Sequence, residues 1–281
     1  MLDVMRRVAR HRSGSAGAVL VLLFVVVGLL APWLAPHDPL RGDLSRTRED
    51  PSREHWLGTD ELGRDVLSRI IWGARLTLRV GLIAVAIGLL VGVPLGLVSG
   101  YVGGTFDLLA QRLVDVLLAF PGVLLAIMIV AIMGTGLENV MIAVGVVSIP
   151  TYTRLVRGQV LALKPLPFLE AARALGQSQL WILVLHVLPN ILSPIIVQST
   201  LQFATSILWA AGLSFLGLGA QAPTPEWGAL VATGKTYLRS APHLVIFPGI
   251  VISLTVMALS LFGDALRDAL DPRERVPEGG M

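Results

Sequence analysis

Long runs with no charged residue, apolar enough for lipid, leave this chain few folding options. No Asp, Glu, Lys or Arg occurs between Arg79 and Asp107, between Asp115 and Glu138, or between Arg173 and Glu226. A bilayer core roughly 30 Å thick takes about 20 helical residues, and a backbone crossing it must satisfy its own polar groups. These runs predict an all-α integral membrane protein with six transmembrane helices, at 16–34, 80–99, 116–132, 138–157, 191–216 and 244–263. Glu138 and Arg154 snorkel at the ends of the fourth. The fifth begins only at 191, because the apolar run 180–188 ends at Pro189 and is too short to cross.

Composition agrees. Charged residues make up 15% of the chain and hydrophobic residues 54%, whereas a soluble domain carries roughly 25% charged residues. The basic start, MLDVMRRVARHR, followed by an apolar run, imitates a signal peptide. The run 16–34 is too long for a signal core and lacks a small-residue cleavage site, so a retained helix is expected. Of the 22 Lys and Arg, twelve fall on the inner side when the N-terminus is placed in the cytoplasm. An even number of spans then puts both termini inside. The net charge of +3 reads as membrane-flanking Arg rather than a nucleic-acid footprint. With no Cys there is neither disulfide nor thiol nucleophile, and His11, His37, His55, His186 and His243 are scattered without metal-ligand spacing.

Between the fourth and fifth spans lies a segment of different character, 165–189, led by Lys164. Pro167 suits a first helical position and Glu170 the first turn. Ala171, Ala172, Arg173, Ala174 and Leu175 favour a helix. Gly176 is a left-handed stop and Ser178 a cap for a second helix ending at Pro189. The predicted unit is a short cytoplasmic helical hairpin with a low-profile alanine face.

Other chemistry is thin. Residues 229–236, ALVATGKT, fit a relaxed phosphate-loop pattern, but PTPEWG precedes them instead of a strand, and the connection is too short for a nucleotide domain. No nucleophile motif occurs, and the spans are almost free of ionisable groups, unlike an ion-coupled transporter. Asp107, Arg112 and Asp115 read as a solvated or paired turn. Pro94, Pro121, Pro194, Pro248, Gly88, Gly92 and Gly96 within spans read as ordinary helix packing.

Glu170-Ala171-Ala172, then Gly176 and Leu188-Pro189, resembles the EAA loop of bacterial ABC importer permeases. His186, where the general pattern prefers Ile, is similar to the H-x-L-P-N form of the dipeptide/oligopeptide/nickel branch. Residues 55–75 (HWLGTDELGRDVLSRIIWGAR), 213–228 (LSFLGLGAQAPTPEWG) and 263–273 (GDALRDALDPR) resemble the same branch. The likeness covers nearly the whole chain and points to the C-type permease subunit.

The resemblance implies a type I ABC importer permease fold. It divides the chain into 1–75, an N-terminal segment with the first span and an extracytoplasmic loop; 76–264, the permease domain; and 265–281, a cytoplasmic tail. It implies half of a translocation path for di- or oligopeptides, or for nickel or another small solute, in the bacterial cytoplasmic (inner) membrane. Expected partners are a second homologous permease, two ABC ATPase subunits, an extracytoplasmic substrate-binding protein and lipid, with no nucleic acid. ATP and Mg would be used by the ATPase subunits, leaving this chain with no catalytic, metal or cofactor residues. Phe168, Leu169, Glu170, Ala171, Ala172, Arg173, Leu175 and Gly176 would couple to the ATPase, with Phe168 and Leu169 as apolar anchors. Trp56, Asp60, Arg64 and Asp65, with the loop 220–243, would help form the binding-protein surface.

Overall fold

A computed structural model describes residues 12–270. The basic start 1–11 and the end of the tail, 271–281 with Arg273 and Arg275, lie outside the described residues. Within them the regular structure is helical, with one isolated antiparallel bridge between Thr59 and Asp65.

Helix α1 is Arg12–Leu29 and α2 the short Ala31–Leu34. The single span drawn at 16–34 is thus interrupted at Leu30. Pro32 explains the break: it has no N–H to give, and its ring would meet the carbonyl four residues back. After the polar loop, α3 runs unbroken over Val66–Val102. It begins fourteen residues before the drawn span at 80, so the amphipathic segment and the second span are one helix. Asp65 caps it, accepting from Ser68 N at 2.7 Å. A π turn at Gly88–Gly92 lies just ahead of Pro94. Widening the turn accommodates a proline that cannot donate.

The third span is also not one rod. Helices α4 (Gly104–Leu118) and α5 (Gly122–Met133) meet at 90° around Pro121. Helix α6 is Leu137–Leu163, α7 is Pro167–Ala174 and α8 is Gln179–Asn190. Helix α9 is Leu192–Phe215, α10 is Trp227–Gly234 and α11 is His243–Leu270. Among the described residues α3, α6, α9 and α11 are each long and apolar enough to cross a membrane, and the bent α4–α5 pair makes a fifth candidate.

Helix α3 packs along α6, α9 crosses both, and α11 lies against α1 and α9. The close approach of α3 to α6 comes from a stripe of glycines four residues apart. A Cβ on Gly92 would stand 2.8 Å from the Ile149 carbonyl, on Gly96 2.6 Å from the Thr153 carbonyl, and on Gly100 2.9 Å from Val160 Cβ. Backbone meets backbone there, as small residues permit in membrane bundles. One apolar cluster joins α5, α6 and α9 through Val130, Val144 and Leu213. Another gathers Phe24, Leu78, Ile207 and Leu259 around Trp227. Trp227 donates its indole N–H to the Ile70 carbonyl at 2.9 Å.

Candidate functional site

The hairpin α7–α8 stands at the end of α6. Leu166, extended before the helix, leads into Pro167, and α7 closes after Ala174. Its end has two bonds that satisfy otherwise orphaned carbonyls: Gly176 N–H to Arg173 O at 2.9 Å and Gln177 N–H to Ala172 O at 3.2 Å. Gly176 has φ +78°, a conformation that costs a side-chain-bearing residue energy. Ser178 then caps α8, accepting from Trp181 N at 3.3 Å. The second helix carries a π turn at Leu183–Val187, again just before a proline, Pro189.

One side of the hairpin is glued to the permease. Leu169 and Ala172 are buried with Ile182, Leu183 and Val187, against Tyr152, Val156 and Val160 of α6 and Tyr101 of α3. Leu169 and Ala172, both among the residues expected to couple to the ATPase, thus pack against the permease itself. Three residues apart, they share one helix face. Arg173 is exposed, but its guanidinium lies over the Tyr101 ring at 5.4 Å and bonds the Tyr101 hydroxyl and the Lys164 carbonyl, each at 3.3 Å. At the far side His186 Nε2 meets Gln177 Oε1 at 2.8 Å, and Asn190 donates to the His186 carbonyl. His186 thus ties α8 back to the turn.

The other side is open. Phe168, Glu170, Ala171, Leu175 and Gly176 are exposed, with Leu175 80% accessible. So are Leu180 and Trp181, which the sequence reading did not single out. An unbroken apolar run, LWILVLHVL, gives no periodic cue to which of its side chains point outward.

The half of α6 that leads to the hairpin is braced by charge. Asp107 accepts from Arg157 Nε at 2.6 Å and from its terminal nitrogen at 2.7 Å, linking α4 to α6. Asp115 pairs with Arg154 at 2.7 Å. Asp107 and Asp115 are therefore paired, but from within helix α4 and with arginines of α6 rather than in a turn of their own.

The first loop behaves differently from expectation. Asp60, Arg64 and Asp65 are buried, not displayed. Asp60 holds Arg64 Nε at 2.7 Å and lies 3.3 Å from Arg69 Nε. Each charge is desolvated and so needs a partner inside. Trp56 alone of that set is exposed.

The phosphate-loop mimic is a helix. Glu226 caps α10, accepting from Gly228 N at 3.0 Å and Ala229 N at 2.9 Å. Its carboxylate occupies the position an anion would need at that helix start. Lys235 lies over the Phe215 ring at 4.4 Å.

Comparison with known proteins agrees with this architecture. Residues 92–276 match the family described as binding-protein-dependent transport system inner membrane component. Residues 1–51 match the N-terminal TM domain of oligopeptide transport permease C. The glutathione transport system permease protein GsiD of Pectobacterium atrosepticum is 48% identical over 95% of this chain and 89% of its own length. The dipeptide transport system permease protein DppC of Alkalihalophilus pseudofirmus is 45% identical over 96% of this chain and 89% of its own. Among solved structures, the inward-facing MetNI methionine ABC transporter superposes with TM-score 0.60 at 19% identity, covering 73% of this chain and 98% of that one. The spans, the helical hairpin and these two family matches lead to one conclusion: the chain belongs to the binding-protein-dependent transport system inner membrane components, the non-enzymatic permease subunits of ABC importers whose ATPase activity resides in separate chains.

Proposed function

We propose that the α7–α8 hairpin is the place where separate ATPase subunits grip this permease, and that the importer carries short peptides. The coupling reading rests on the two-sidedness of the hairpin: one face buried on α3 and α6, the other displaying Phe168, Leu175 and Trp181. A rigid element fixed to two long helices transmits a push to both. ATP acts only through the different affinity of the ATPase pair for the two permease conformations, so a stiff connection is required. Phe168 and Leu175 serve as apolar anchors, Ala171 allows close approach, Gly176 sets the turn, and Glu170, exposed and without an ion pair among the described residues, meets a basic group.

The substrate class follows the relatives, named for glutathione and for dipeptides. The assembly comprises a second related permease, two ATPase subunits that use ATP and Mg, and an extracytoplasmic binding protein, in a bacterial cytoplasmic membrane. Six spans are formed by α1, α3, the α4–α5 pair, α6, α9 and α11, with the hairpin and both termini in the cytoplasm. Ion-coupled transport finds little support, because Asp107 and Asp115 are already paired with Arg157 and Arg154.

The test is Phe168→Asp and Leu175→Asp in the assembled transporter. Either change lowers co-purification of the ATPase by at least tenfold, on the order of the loss of an interface anchor, and abolishes peptide uptake while the permease keeps its yield and melting temperature. By contrast Leu169→Ala weakens the permease itself, by about 2–5 kcal/mol. Undiminished ATPase binding and uptake in both Asp variants overturns the coupling reading.

A further inference from the structure

The polar loop between α2 and α3 brings together three side chains that lie far apart in the sequence. His55 Nδ1 is 2.9 Å from Asp65 Oδ1. His37 Nδ1 is 3.8 Å from Asp65 Oδ2, too far for a hydrogen bond. The two imidazoles lie 4.8 Å apart, centroid to centroid. The candidate ligand atoms of all three residues lie within 4.8 Å of one another.

Hydrogen bonding accounts for the meeting of His55 with Asp65 but not for the approach of His37. Asp65 Oδ2 is already taken by Ser68 N and Ser68 Oγ, both at 2.7 Å. His37 Nδ1 is buried and has no hydrogen-bond partner, although the ring as a whole is 37% exposed. The His37 backbone is nonetheless held in place, its N–H donating to Ser68 Oγ at 3.0 Å. A nitrogen lone pair or proton is thus aimed at a carboxylate it does not reach, with a second imidazole beside it.

We propose that His37, His55 and Asp65 form a site for a divalent transition-metal ion, held as a resident clip between the segment after α2 and the start of α3. Two imidazoles and one carboxylate suit Zn²⁺, and after it Ni²⁺ or Cu²⁺; Mg²⁺ and Ca²⁺ want all-oxygen shells. Metal–nitrogen bonds of about 2.0–2.1 Å require the ligand atoms to draw in by roughly 1 Å. Ser68, bonded to the Asp65 carboxylate, would orient that ligand, as outer-shell partners do. Water would reach the fourth position over the exposed edge of His37. The loop carries one short 3₁₀ turn, Leu44–Arg46, as its only helical element, so a cross-link from residue 37 to residues 55 and 65 would restrain it. The inference is independent of which solute the importer carries.

The experiment uses the full chain purified in detergent and stripped with chelator. Titration with Zn²⁺ by calorimetry is expected to show one ion per chain, and Co²⁺ to give the visible absorption of a four-coordinate nitrogen and oxygen site. Zn²⁺ raises the melting temperature of the wild type by mass action. His37→Gln loses at least tenfold in affinity, on the scale of a lost ligand or support, yet melts like wild type without metal, since His37 Nδ1 bonds nothing. His186→Gln, in the hairpin, binds Zn²⁺ as wild type does. Absence of stoichiometric Zn²⁺ binding and of the Co²⁺ spectrum overturns the proposal, and so does wild-type affinity in His37→Gln.

Discussion

Leu169 and Phe168 are neighbours in the chain with opposite duties. Leu169 is fully buried and Phe168 is 41% exposed, because consecutive residues on a helix point about 100° apart. The motif Glu170-Ala171-Ala172 announced a helix and its place in the chain. It did not say which residues face the permease, since the segment is apolar on more than one side. Glu226 makes a similar point. It stands just ahead of the false phosphate loop and is the buried cap of α10, in the connection between α9 and α11. Burial raises its carboxyl pKa above the ordinary 4.5, against the lowering effect of its bonds to Gly228, Ala229 and Ser214. The folded chain therefore holds this proton more tightly than the unfolded chain. The resulting stabilisation is fully present below about 4.5 and is lost as pH rises through the raised value. Thermal unfolding should show the wild type gaining on Glu226→Gln as pH falls from neutrality towards 4.5. A difference that stays flat with pH would count against this account.

At the level of elements, two devices shape the helices. The π turns at Gly88–Gly92 and Leu183–Val187 each end one residue short of a proline, Pro94 and Pro189. Each lets a helix continue where proline withholds its donor. The glycine stripe on α3 is the second device, and it was legible only as small residues within a span. The contact partner on α6 gives the stripe its meaning. Gly96→Val should push α3 from α6, because the obstacle is the Thr153 carbonyl and the Arg157 nitrogen rather than a movable side chain. Overpacking of this kind costs about 1–3 kcal/mol, measured as a lower melting temperature. Gly158→Ala, with open space around it, should melt unchanged or slightly higher. Equal effects at the two sites would refute the close-packing argument.

For the whole molecule the decisive question is sidedness. Under the proposed topology the inner-side Lys and Arg outnumber the outer ones only narrowly, twelve to ten of 22, because the first loop and the start of α3 are rich in Arg. Arg64 and Arg69 are buried in a network with Asp60, which removes two of those outer charges from the surface. The chain has no native Cys, so single cysteines report cleanly. Ala174→Cys should resist membrane-impermeant thiol reagents in intact cells and Gln221→Cys should react, both positions being exposed on the protein. The reverse pattern would invert the proposed topology.

What the sequence by itself determined was whatever depends on local composition: apolar runs that must be membrane helices, a polar hairpin among them with its glycine stop and serine cap, and the family signature. These are written in neighbouring residues, and the physics that reads them is short-range. Tertiary structure alone decided which faces meet. It folded Leu169 and Ala172 inward, bent the third apolar run by 90° at Pro121, and merged the amphipathic segment into α3. It buried Asp60, Arg64 and Asp65, and it carried His37 and His55 to one carboxylate. Residues 18 and 28 positions apart have no periodic relation to read. Their meeting is set by the path of an irregular loop, and that path is fixed by contacts at both of its ends.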